Sequence, residues 1–268
     1  ETSSVHTIGY AHRPIRLGSV GHPVPYSRVR IVKLDNQGQA LEDCKAQEIG
    51  VVAMAGPGVF SGYLSEAHQS GSFVASGWVN SGDLGRLDAE GYLWITGRAK
   101  DLVIRGGHNI DPMAIEEILY QHPSVALAAM VGQPDAYAGE LPVAYVQLKP
   151  GAQAEPSELI DFVRERTPER AAVPVQMFII ETIPLTAVGK VFKPALRWDA
   201  AQRLGEALLR PLVQAPVRCE VKVHAHDTHG SLMSVTFHHC LSEQQEHLRE
   251  QARALLDPLT LRHSITFA

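Results

Sequence analysis

The sequence predicts a mixed α/β chain: a small antiparallel β lobe, a charged joint, a compact α-β-β-α-β domain, and a β-β-α-β extension at the C-terminal end. Three observations predict it. In the first hundred or so residues, short apolar runs recur about every ten residues with turn residues between them, the spacing of a small antiparallel sheet or barrel. From 102 to 196, apolar residues at helical spacing alternate with unbroken apolar runs, as in helices interleaved with strands. Between the two lies Gly97-Arg98-Ala99-Lys100-Asp101, a charged elbow that reads as a hinge. The expected domains are 1–98, 99–200 and 201–268.

Residues 1–28 are rich in Gly, Pro and His and read as loop. Arg28–Leu34 alternates apolar and basic residues, as a half-buried strand does. Asp35-Asn36-Gln37-Gly38 is a turn, and Gly50–Ala55 a second, more buried strand broken by Gly56-Pro57-Gly58. Strands follow at 78–80 and 92–96, with turns at Ser81-Gly82 and Ala89-Glu90-Gly91. After the elbow, 102–104 is a short strand running into Gly106-Gly107. Asp111 followed by Pro112 is a helix start, with an acceptor at the cap and proline at the first helical position. Ile115, Ile118 and Leu119 form its apolar face, and His122-Pro123 ends it. Strands are expected at 125–131, 143–148 and 177–180, and a second helix opens at Pro156 with Leu159, Phe162 and Val163 inward. The extension begins with a helix over 200–209. Strands at 219–224 and 232–238 pair through a turn Asp227-Thr228-His229-Gly230. Ser242 caps a helix over 243–256, and Arg262–Phe267 closes the chain.

Bulk properties narrow the function. The net charge is −5 with no Lys/Arg block, which argues against nucleic-acid binding. No apolar run approaches a membrane span, and no signal peptide is visible. Cys44, Cys219 and Cys240 are odd in number and far apart, the usage of a reducing cytoplasm. A chain that opens on Glu1 and not Met is expected to be a piece or a processed product of a longer one.

Several residues could carry chemistry. Asp83, in a Gly-Asp turn, could accept hydrogen bonds from vicinal ribose hydroxyls or simply bond its own backbone. Arg98, Lys100 and Asp101 at the joint could exchange partners between two orientations, or be a solvated turn. Gly106-Gly107 could admit another molecule close to the backbone, or be loop. Lys190, in a loop with Thr186 and Gly189, could place a positive charge on a phosphate or carboxylate, or be an ordinary surface lysine. It belongs to no P-loop pattern. In the extension, His224, His226 and His238 could share a strand-pair face and hold zinc or copper, although their spacing matches no known zinc pattern.

The order of these blocks carries more than each block alone. Over roughly residues 1–197 the chain resembles the C-terminal half of the adenylate-forming (AMP-binding) acyl-CoA synthetases. Glu1 resembles the end of that family's Tyr-Gly-x-Thr-Glu motif, and 16–25 its Gly-Ser-Val-Gly-x-Pro stretch. Residues 48–64 resemble its Gly-Glu-Ile…Gly-Tyr block, and 77–85 its Gly-Trp-x-x-Thr-Gly-Asp, with Ser81 for the usual Thr. Residues 97–117 resemble Gly-Arg-x-Lys-Asp…Gly-Gly-x-Asn-Ile-x-Pro…Ile-Glu, and 184–190 Pro-x-Thr-x-x-Gly-Lys.

The resemblance implies a ligase that activates a fatty or other carboxylic acid with ATP and Mg²⁺, then passes the acyl group to CoA as its small domain rotates. It implies that Glu1 lies near Mg²⁺ and the phosphates, that Asp83 holds the ribose hydroxyls, and that Arg98 lies beside the ribose. Asp101, with Lys100 beside it, would be the pivot. Lys190 would be the catalytic lysine of adenylation, and Gly106-Gly107 would line the CoA channel. The family's phosphate loop and acyl pocket lie before Glu1, so the chain alone is expected to be inactive. A parent that loads a carrier protein, or a non-catalytic assembly module, is the alternative. The 201–268 tail is longer than the family usually has, and a packing or homo-oligomerisation role is expected for it.

Overall fold

The computed structural model describes residues 2–3, 5–64, 71–226 and 230–268. The chain divides into two compact units, Glu1–Asp101 and Leu102–Ala268.

The first unit is built on a six-stranded antiparallel sheet: β3 (Arg28–Leu34), β4 (Ala40–Asp43), β5 (Gly50–Ala55), β6 (Phe73–Ala75), β7 (Trp78–Leu87) and β8 (Leu93–Arg98). Its order is β4-β3-β5-β7-β6, with β8 also on β7. Side chains alternate across a strand, so neighbouring residues of β3 enter different clusters. Ile31 packs with Val52 and Leu93, while Val32 packs with Ala53 and Val74. The first 28 residues are not all loop: β1 (Thr7–Ile8) pairs with β2 (His22–Pro23). No turn forms at Ser81-Gly82. β7 runs through both residues, because a bulge absorbs them: Ala53 faces Asn80, whereas Val51 faces Leu84. Gly82 takes φ +75°, and the Asn80 and Ser81 side chains accept from the Gly82 and Asp83 amides. Local bonds of the turn type thus form inside a continuous strand.

In the second unit, the sheet order is β10-β9-β12-β11, with β13 parallel to β12. The strands are β9 (Val103–Arg105), β10 (His108–Ile110), β11 (Val125–Asp135), β12 (Gly139–Leu148) and β13 (Gln176–Ile179). β9 and β10 form a hairpin across Gly106-Gly107, so a strand stands where loop was expected. Helices α1 (Pro112–Tyr120) and α2 (Pro156–Arg166) cover one face, burying Ile115, Leu119, Leu159 and Val163 against Ala128, Met130, Ala144 and Val146. Phe162 is only half-buried and meets the edge of His122. Helix α3 (Lys193–Leu209) covers the other face through Leu196 and Ala200. Coverage on both sides explains the unbroken apolar runs of β11 and β12.

α3 begins at Lys193, earlier than the expected 200, and runs through that position unbroken. Its opposite stripe packs on a three-stranded sheet of β14 (Arg218–His226), β15 (Gly230–His238) and β16 (Arg262–Phe267), in the order β14-β15-β16. α4 (Ser242–Leu256) joins this layer through Leu248, Ala252 and Leu256. Ser242 is the first helical residue of α4. The cap is Leu241, which makes no side-chain cap bond. The expected turn at 227–229 lies outside the described residues.

Candidate functional site

Asp83 and Arg98 come together. They sit directly opposite each other on β7 and β8, and Arg98 Nε donates to Asp83 Oδ1 at 3.0 Å. The carboxylate is largely covered (24% exposed) and the guanidinium mostly open (63%). Asp83 is held in a strand and not in a turn, and a strand fixes the direction of its carboxylate more tightly. A carboxylate beside a guanidinium at a solvent margin can accept from vicinal hydroxyls while the cation meets a neighbouring oxygen. Lys100 and Asp101 follow at once, in a single 3-10 turn, 99–101. The division between the two units falls directly after Asp101. Glu1 lies outside the described residues.

Gly106 and Gly107 form the tip of the β9–β10 hairpin with φ +56° and +85°. Two successive positive φ values make a primed turn, which L side chains resist. A Cβ added at either would meet nothing within 4 Å. The glycines are therefore required by backbone conformation, and the tip stands open. Asp111 caps α1 as expected, its Oδ1 accepting from Met113 N at 3.0 Å. Burial pushes its carboxyl pKa up, and Glu116 adds to the rise.

Lys190 lies on an exposed loop. Thr186 N donates to Lys190 O (2.7 Å) and Gly189 N to Thr186 O (2.9 Å), while Lys190 N donates to Thr186 Oγ1 (3.1 Å). Leu185 bridges Val191 at the base. The loop is a closed hairpin that presents the lysine outward.

Two features gave no signal in the sequence. Lys193 Nζ lies 2.8 Å from Glu116 Oε1, and both side chains are largely buried (16% and 14% exposed). Tyr145 donates to Asp199 Oδ2 at 2.7 Å, and Arg203 Nε donates to the same oxygen. Burial, and the hydrogen bond to Asp199 after it, push the phenol pKa above its ordinary value. Each pair is remote in sequence, so only the fold reveals it.

The described histidines of the extension do not come together as a metal site. His224 faces Leu232 and His238 faces Arg218, six positions apart along β15, or roughly 20 Å of strand. Among the described residues no group of three or more metal-ligating side chains forms. No helix among them is long and apolar enough to cross a membrane.

Residues 114–190 match the AMP-binding enzyme C-terminal domain family. Marinolic acid--CoA ligase of Pseudoalteromonas sp. is 40% identical over 267 residues, a match that spans the whole chain and 40% of the ligase. The ATP-bound structure of MatB from Rhodopseudomonas palustris has a TM-score of 0.66 at 28% identity, covering 73% of this chain and 38% of that one. O-succinylbenzoate CoA synthetase from Bacillus subtilis, in complex with its acyl-adenylate intermediate, has a TM-score of 0.61 at 34% identity, covering 68% and 36%. The chain thus spans 36–40% of the length of these three proteins.

Proposed function

Through residues 114–190 the chain carries an AMP-binding enzyme C-terminal domain, and from that premise we propose that it is the C-terminal portion of an AMP-forming acid–thiol ligase. The acceptor thiol is CoA, and the acid is a fatty or other carboxylic acid. ATP with Mg²⁺ supplies the activating nucleotide.

In the first half-reaction, a carboxylate oxygen of the acid attacks the α-phosphorus of ATP, and the bond to pyrophosphate breaks with its electron pair leaving on pyrophosphate. Two anions must approach each other, and the Lys190 ammonium offsets that repulsion where charge develops. Asp83 accepts from the ribose hydroxyls while Arg98 orients the carboxylate. In the second half-reaction, the thiolate of CoA attacks the acyl carbon, and AMP leaves with the bonding pair. The open Gly106-Gly107 tip gives the pantetheine arm a surface without side chains. Lys100 and Asp101 supply the pivot between the two arrangements.

The observation that supports this reading best is Lys190 exposed just after the turn of a closed loop, at the end of the family-matched segment. The test is Lys190→Ala in the ligase that contains this chain, with the half-reactions measured separately. Acid-dependent pyrophosphate exchange should fall by about a hundredfold or more, the scale of losing one charge-stabilising group. Thioester formation from supplied acyl-adenylate should persist. Adenylation at the wild-type rate would remove Lys190 from the chemistry. Offering CoA and a carrier protein side by side decides the acceptor.

A further inference from the structure

We propose that Lys193 and Glu116 are a positioning pair that fixes the direction in which the Lys190 loop leaves the domain. The proposal rests on the role of Lys190 given above.

The bonds within 184–192 close the loop on itself, but they do not aim it. Its direction is set at its two roots. At the first, Ile183 is fully buried and its amide donates to Gln147 Oε1 on β12 at 3.0 Å. At the second, Phe192 N donates to Pro184 O (2.8 Å), and the next residue, Lys193, reaches Glu116 on α1. Glu116 is itself held, because its Oε1 also accepts from Met130 N at 2.8 Å. One carboxylate thus ties α1, β11 and the first residue of α3 together.

Lys193 is an unexpected residue for its position. It is the first residue of α3, whose cap, Phe192, makes no side-chain cap bond. A cation at a helix N-terminus opposes the helix dipole. Glu116 supplies the compensating charge, and Asp111, the cap of the same helix, adds to the local negative field. A largely buried ion pair seldom adds stability over apolar packing, and its best-attested use is to fix geometry. The geometry fixed here links the loop of Lys190 to α1, the helix that follows the Gly106-Gly107 hairpin. Both candidate functional loops are thereby referred to one helix.

The test uses the full chain and reads amide hydrogen exchange. The reporters are Ile183 and Phe192, whose amides hold the two roots of the loop, against Ala144 and Val146 in β12. Lys193→Met keeps the stem and removes the charge. It should speed exchange of the two root amides by about tenfold while the β12 amides stay within about twofold, and Lys193→Arg should restore protection. Glu116→Gln keeps an acceptor for Met130 N and should loosen the loop in the same way. It serves as the deciding variant if Lys193→Met does not fold. Unchanged root protection overturns the proposal, as does equal loss in roots and core or failure of Lys193→Arg to rescue. Exchange needs no ATP or acid, so failure here leaves the chemistry of Lys190 standing, and failure of the Lys190→Ala test leaves this result standing.

Discussion

Gly205 sits buried in the middle of α3, where the helix lies on β14 and β15. Two effects oppose each other when it is replaced. Alanine favours a helix interior by about 1 kcal/mol over glycine. However, a Cβ there would stand 3.0 Å from Met233 Cε, Met233 Sδ and Val221 Cγ1, inside the usual contact of roughly 3.5–4.0 Å between carbon atoms. The methionine tip can swing aside, whereas the β-branched valine on a paired strand cannot. Overpacking of this kind costs about 1–3 kcal/mol. Gly205→Ala should therefore be neutral to about 2 kcal/mol destabilised, the propensity gain cancelling about 1 kcal/mol of the strain. Gly205→Val adds two more methyl groups against the same wall and should lose about 3 kcal/mol. Pairing Gly205→Ala with Val221→Ala should recover about 1 kcal/mol of coupling, because the trimmed valine makes room. Urea denaturation followed by circular dichroism reads all five chains: the parent, Gly205→Ala, Gly205→Val, Val221→Ala and the double variant. A neutral Gly205→Val, or strict additivity in the double variant, would refute the argument that α3 and the terminal sheet are packed face to face.

Two further outcomes follow from local chemistry. Asp111→Ala should cost about 1 kcal/mol through loss of the α1 cap, and Asp111→Asn should recover it, since Asn caps without a buried charge. Thermal denaturation decides, and an Asn variant as weak as the Ala variant would rule out the cap as the cause. Burial pushes the Cys219 thiol pKa up to about 11, with Glu206 adding to it, against an ordinary thiol value of about 8.5. A raised folded pKa means that the thiol's contribution to stability is complete below the unfolded value and is lost as pH rises through the folded one. Stability should therefore fall across about pH 8.5–11, and less steeply in Cys219→Ala; equal slopes in the two chains would refute the assignment.

Much of the architecture was legible in the chain. Arg28–Leu34, Gly50–Ala55, the Asp111-Pro112 helix start and Arg262–Phe267 have the pattern of the elements they form. The errors have physical causes. Ser81-Gly82 carries turn residues and makes turn-type bonds, yet β5 and β8 hold the strand through them. The start of α3 was hidden because Phe192, Lys193 and Pro194 lack a capping side chain, and the compensation is a carboxylate on another helix. His224 and His238 do share a parity, but parity says nothing of separation along the strand, which only the pairing register supplies. Of the candidate site, residue types and order were readable. The Asp83–Arg98 pairing and the Glu116–Lys193 tie were not, since each depends on which segments become neighbours.

The bulge in β7 has a consequence for how the chain can change. Two extra residues are stored between Asn80 and Leu84, and one more on β8 where the partner of Leu84 is Gly97 and that of Gly85 is Ile95. Side chains alternate with a period of two, so loss of one residue from this stretch would turn Asp83 to the other face of the sheet. The orientation of that carboxylate is recorded in a residue count, which point substitutions leave intact and a single deletion erases. Between Asn80 and Gly97 the chain should therefore accept many changes of letter and very few changes of length.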